Sequence, residues 1–307
     1  MKKILLIISV LGFGLLSLNA QQLPQYSQYI LNKYVINPAS AGSENYFTGQ
    51  TNYRSQWEGI KDAPRTYILS VNGPLSKQNM GIGGSMFTDI TGPTRRSGFS
   101  LSYAYHIKLS PSIKLSFSVN AGILQYGIDG SEITFDRPDD VGSAFIENNL
   151  LPDAGFSFYL YHKNFFLGGS APQLLHNEIT FEKSVGVQKG TLENHFFLMG
   201  GYQAGIGEKF KVEPSFLLKY INPVPLQYEA TLRGLYKDNY WIGVSYRQDA
   251  ALTLLIGLTL QESLSLGYSY DFIQSNITNY STGSHEIMLS IRFNKGKDRK
   301  VKTEKED

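Results

Sequence analysis

The sequence has no cysteine. That excludes disulfides, thiolate metal sites, a cysteine nucleophile and a lipidated N-terminal cysteine. Charge is sparse: 18% of the 307 residues are Asp, Glu, Lys or Arg, against about 25% in soluble domains. A formal net charge of +2 leaves no electrostatic footprint for a nucleic acid. Long apolar runs are missing after the N-terminus, where none approaches the roughly 18 residues of a spanning helix, so a polytopic helical membrane protein is excluded. Chemistry-bearing motifs are equally scarce. His106, His162, His176, His195 and His285 show no metal-ligand spacing, and there is no G-x-S-x-G elbow. Gly81-Ile82-Gly83-Gly84 lacks the third glycine of a nucleotide loop, and the acidic run Asp136-Arg137-Pro138-Asp139-Asp140 lacks the calcium-loop pattern. No cofactor or metal is implied. His176 and His195, flanking a long loop, are the candidates for a rim enzyme, a minor reading beside a non-enzymatic one.

Residues 1–20 read as an export signal: Lys2 and Lys3 precede an apolar stretch from Ile4 to Leu16, and Leu18-Asn19-Ala20 ends in a small residue before Gln21. Residues 294–307 carry six basic and four acidic side chains and read as a solvated, disordered basic tail on the periplasmic side.

Between these ends the pattern has period two. Phe99, Leu101, Tyr103, Tyr105, Ile107 and Leu109 alternate with small or polar residues. So do Phe117, Val119, Ala121 and Ile123, then Leu264, Leu266, Tyr268, Tyr270 and Phe272. Successive side chains of a strand point to opposite faces. The alternation predicts about 14 strands of roughly nine to eleven residues, the length of a tilted strand crossing a bilayer. Their centres fall near Asn52, Leu69, Ser85, Tyr103, Val119, Phe156, Leu167, Gly200, Phe216, Thr231, Val244, Ile256, Tyr268 and Leu289.

The connections separate a membrane barrel from a soluble sandwich. Every second one is tight, as at Ser110-Pro111, whereas residues 127–150, 172–194 and 273–283 are long. Outer-membrane barrels have tight periplasmic turns and longer outer loops. The predicted fold is therefore an all-β, transmembrane antiparallel barrel over residues 46–293 in the bacterial outer membrane. Lipid lies against its apolar face, and Tyr103, Tyr105, Tyr220, Tyr236, Tyr240, Trp241, Tyr246, Tyr268 and Tyr270 suit an interfacial girdle.

Residues 21–45 differ in texture. Gln25 to Val35 has the spacing of about three helical turns, with Tyr26, Tyr29, Ile30 and Lys33 on one side. Asn37-Pro38 would stop that helix and Gly42 would turn the chain into the first strand. Such a segment either plugs the lumen or lies in the periplasm, and lumen lining is favoured.

Here the sequence resembles a known family. The runs Pro24-Gln25-Tyr26-Ser27-Gln28-Tyr29 and Asn32-Lys33-Tyr34-Val35-Ile36-Asn37-Pro38-Ala39, with Ala41-Gly42, carry the resemblance. It continues through Tyr53-Arg54-Ser55-Gln56-Trp57, Ala63-Pro64-Arg65-Thr66, Ser70, Gly81-Ile82-Gly83, Asp89 and Gly92. These look like the PorP/SprF family of the type IX secretion and gliding machinery in Bacteroidetes. The resemblance implies a non-enzymatic outer-membrane component with no catalytic residues to carry over. Its implied partners are a secreted adhesin or its C-terminal domain, and periplasmic ring or motor proteins. Gln25, Tyr26, Tyr29, Asn37, Arg54, Gln56 and Trp57 are the candidate partner-binding or lumen-lining residues. Strand parity turns Arg54 and Gln56 toward the lumen, where Arg54 can fix the N-terminal segment. The alternative function is a plugged channel or a transporter of hydrophobic compounds.

Overall fold

Alternating apolar and small residues build a single continuous antiparallel sheet that closes on itself. The computed structural model describes residues 23–75, 79–132, 146–181, 188–222 and 224–294. In chain order the wall consists of β1 (Phe47–Ser55), β2 (Arg65–Pro74), β3 (Met80–Thr91), β4 (Thr94–Lys108), β5 (Lys114–Asp129), β6 (Ile146–Tyr161) and β7 (Phe165–Ala171). A small hairpin follows, β8 (Glu178–Phe181) with β9 (Gln188–Thr191). The wall resumes with β10 (His195–Tyr202), prolonged by β11 (Ala204–Ile206), then β12 (Phe210–Ile221), β13 (Val224–Tyr236) and β14 (Tyr240–Arg247). It ends with β15 (Ala251–Leu260), β16 (Leu264–Ile273) and β17 (Ser284–Phe293). Pairing of β1 with β17 and of β10 with β12 closes a barrel of 14 strands, so no wall edge is left to lipid.

The faces follow the sequence parity. Leu101, Phe117, Val119, Leu254 and Leu266 are exposed on the outside, while Ser102, Ser116, Ser118 and Ser265 are buried inside. Each predicted strand centre lies within a wall strand.

Several expectations need correction. Strands are not uniform: β5 and β6 pair from Lys114 with Tyr161 up to Asp129 with Ile146, longer than a bilayer requires. The loop expected over residues 127–150 therefore narrows to 130–145. The loop 172–194 contains the β8–β9 hairpin, whose Ile179 packs with Leu192 and Leu124. Trp241 does not belong to the lipid-facing girdle. Tyr240 is exposed, so its neighbour must turn inward, where Trp241 packs with Leu235 and Met288. The three-turn helix is absent: only Lys33–Ile36 is helical, followed by a 3-10 turn at Pro38–Ser40. The backbone N–H groups of Ser27 and Gln28 instead donate to the carboxylate of Glu286, a tertiary bond that overrides local propensity. The signal (1–20), residues 295–307 of the tail and the acidic run 136–140 lie outside the described residues.

Candidate functional site

The inner face is lined with small residues, which leaves room inside the barrel, and residues 23–42 occupy part of that room. Their contacts run around the wall. Gln50 Nε2 donates to the Leu31 carbonyl at 2.8 Å, and Asn32 Nδ2 to Asn52 Oδ1 at 3.1 Å. The Tyr34 hydroxyl meets Ser102 Oγ at 2.8 Å. Ser170 Oγ donates to the Ile36 carbonyl at 2.6 Å, and His106 Nε2 to that of Ala41 at 2.9 Å. The Lys33 ammonium stands 3.8 Å over the Phe166 ring, a cation–π contact in place of a counter-ion; burial lowers its pKa.

Inner-face glycines create the clearance. A Cβ at Gly83 would enter the Tyr34 ring, one at Gly81 the Ala41 carbonyl, one at Gly168 the Asn37 amide and one at Gly267 the Gln28 amide. Gly42 takes a positive φ of 77° where the segment turns past Gly81, a conformation open to glycine.

A buried charge cluster grips the upstream half of the segment. Arg54 on β1 pairs with Asp271 on β16 at 2.7 Å and with Glu286 on β17 at 3.5 Å. Arg247 on β14 pairs with Glu229 on β13 at 2.9 Å and reaches Asp271 at 3.3 Å. Ser27 sits at the centre. Its hydroxyl donates to Asp271 at 2.9 Å and accepts from Arg54 at 2.8 Å and Arg247 at 3.1 Å. Every member is nearly fully buried. Charges withdrawn from water require such mutual satisfaction, and removing one partner strands the others. Separate pairs join Arg233 to Glu213 and Arg96 to Asp89.

The other candidate residues are placed as follows. Gln25 Nε2 donates to Gln227 Oε1 at 3.4 Å. The Tyr26 carbonyl accepts from Arg247 at 3.5 Å. The Tyr29 hydroxyl lies 3.1 Å from Thr231 Oγ1, and burial pushes its pKa up to about 12. Asn37 Nδ2 donates to the Phe158 carbonyl at 2.8 Å. Gln56 lies beyond the end of β1, and its N–H donates to Pro64 at 2.9 Å. Trp57, at φ 51°, is half-buried in the same outer loop, and its N–H donates to Ser284 Oγ at 3.1 Å. The structure thus gathers Gln25, Tyr26, Tyr29, Asn37 and Arg54 in the lumen and leaves Gln56 and Trp57 at the rim. Glu229, Arg247, Asp271 and Glu286 were missed by sequence reasoning. Their signal was a charged residue at a lumen-facing position of an otherwise apolar strand, which calls for a partner.

His195 is occupied structurally. Its Nε2 accepts from the Leu23 N–H at 3.2 Å, so Nδ1 carries the proton toward the Glu193 carbonyl at 2.9 Å. His176 is exposed in the outer loop. Among the described residues, no group of three or more His, Asp or Glu is placed to hold a metal ion.

Closed wall, lipid-facing apolar exterior and polar, small-residue interior define an integral outer-membrane β-barrel. The sequence profile described as "Type IX secretion system membrane protein PorP/SprF" matches residues 18–291. The chain belongs to the PorP/SprF family, and its place is the bacterial outer membrane. No curated protein matches the chain. Among solved structures it is similar in fold to the Ralstonia pickettii toluene transporter TbuX, with TM-score 0.53 and 9% identity over 85% of this chain and 93% of that one. A Pseudomonas aeruginosa FadL homologue gives 0.50 and 11% over 92% and 96%. The Pseudomonas putida toluene transporter TodX gives 0.50 and 10% over 89% and 94%.

Proposed function

We propose that this barrel is a non-enzymatic docking component of type IX secretion, which binds a secreted adhesin-like protein or its C-terminal domain and assists its export or surface attachment. The observation that supports it is the lumen: residues 23–42 are tied to the wall by buried ion pairs and side-chain hydrogen bonds around its circumference. A lumen crossed by its own chain holds a partner better than it conducts one. The outer loops 130–145, 172–194 and 274–283 supply the passenger-facing surface. The basic tail faces periplasmic ring or motor proteins, with residues 21–45 serving as the plug. Deleting residues 182–187, which lie between β8 and β9 in sequence, tests the loop assignment. Passenger co-purification should fall while heat-modifiable gel mobility stays; undiminished co-purification removes these residues from the docking surface.

A second reading, a transporter of hydrophobic compounds, draws on the cavity described below and on the toluene transporters of similar fold. Proteoliposomes distinguish the two: uptake of a hydrocarbon above protein-free vesicles supports transport, and its absence alongside passenger capture supports docking.

A further inference from the structure

Toward the outer rim the N-terminal segment leaves part of the lumen unfilled. A cavity of about 300 Å3 opens there, at the small end of the range for ligand sites. Leu23, Pro24 and Tyr26 floor it, and Phe87, Leu124 and Phe197 are among its mostly apolar walls.

Three charged side chains line it: Asp153, Lys219 and Asp249. Asp249 lies exposed on the rim. Asp153 is partly buried, and its Oδ1 has no hydrogen-bond partner among the described residues. Lys219 is the cation among them. It occupies an inward position of β12, opposite Phe197 of β10 and Gln227 of β13. Among the described residues its ammonium has no hydrogen-bond or ion-pair partner. The ionic groups it senses, Arg247 with Glu229 and Arg54 with Glu286, are already committed to one another. His195, also in the lining, is neutral in its hydrogen-bonding state and offers no competing charge.

An ammonium facing an apolar, half-enclosed space without a counter-ion is costly, and the cost falls when an anion enters. Pairing carries Lys219 across Phe197 and Ser170 to the level of Ser157 on β6. Asp153 lies farther toward the outer rim on that strand, beside the other end of an occupant. We propose that the cavity binds an organic acid with a compact apolar body, its carboxylate paired with Lys219 and its body against Phe87, Leu124 and Phe197. This site is separate from the passenger-docking loops. It also differs in chemistry from a neutral-hydrocarbon site, because a hydrocarbon would bury the ammonium unpaired.

The test uses the protein in lipid nanodiscs, with protein-free discs as the blank. The probes are 2-naphthoate and its uncharged analogue 2-methylnaphthalene, titrated by fluorescence. Saturable 2-naphthoate binding is expected, weakened at least about tenfold by Lys219→Met, with 2-methylnaphthalene binding weaker than 2-naphthoate in the native chain and not weakened by the substitution. Ser85→Trp, which fills the cavity from the inner face of β3 without touching the charge, should abolish 2-naphthoate binding and covers the case in which Lys219→Met does not fold. No 2-naphthoate binding above protein-free discs overturns the proposal. So does equal affinity for both probes, or binding unaffected by either substitution.

Discussion

Arg54 and Asp271 meet at 2.7 Å although 217 positions separate them in the chain. Their strands are not neighbours, since β17 stands between β1 and β16. The pair therefore spans the seam where the barrel closes, with Ser27 held between its charges.

Arg54→Met should leave Asp271 and Glu286 short of a counter-ion and loosen the segment, at a cost of about 3–5 kcal/mol. Arg54→Lys should fall between, since it keeps the charge but loses the planar fork. Amide exchange at Ser27 and Gln28 is the measurement. Unchanged protection in Arg54→Met would mean that Arg247 alone suffices.

Gly83→Leu puts a side chain where the Tyr34 ring lies. The barrel should still insert and shift on gels, while residues 23–42 become open to protease. Gly207→Ala has nothing within 4 Å of its added Cβ but carries a positive φ of 65°. It should disturb only its own turn and leave the segment protected.

The two faces of the wall should respond oppositely to arginine. Leu254→Arg and Phe117→Arg place a charge in lipid at about 2–4 kcal/mol near the midplane, and heat-modifiable mobility should be lost. Ser265→Arg lies on the inner face next to the turn after β15 and should retain it. Equal losses would contradict the assigned faces.

Alkali should release the segment. Burial raises Tyr29 and Tyr34 to about 12 from the ordinary value of 10.0. A folded pKa above the unfolded one gives stability that is complete below about pH 10 and lost as pH rises through about 12. For Tyr29 alone this is about 2–3 kcal/mol. A spin label on Glu44→Cys, unique in a cysteine-free chain, should gain mobility over that interval. Tyr29→Phe should move the transition to higher pH; an unmoved transition would exclude Tyr29 as the titrating group.

The wall was legible because one rule governs it: period two fixes which face each residue takes, and lipid selects the apolar face. The rule also shows where reading failed. Tyr240 and Trp241 are adjacent, so they cannot both face lipid, and Trp241 packs against Met288 instead. The spacing of Tyr26, Tyr29, Ile30 and Lys33 resembled a helix because those residues are buried or partly buried, but their burial comes from surrounding walls rather than from one helical face. The charge cluster was invisible as a cluster. Arg54, Arg247, Asp271 and Glu286 come together through closure register, which no local spacing records.

The bond from the Ser27 N–H to Glu286 at 2.7 Å joins some of the earliest-synthesised residues of the barrel region to its last strand. That bond cannot form until β17 has been laid against β1, so the full anchorage of the segment waits for the last strand. A chain truncated before β17 would lack that tie, while the contacts of Tyr34 with Ser102 and of Ile36 with Ser170 lie on strands already made.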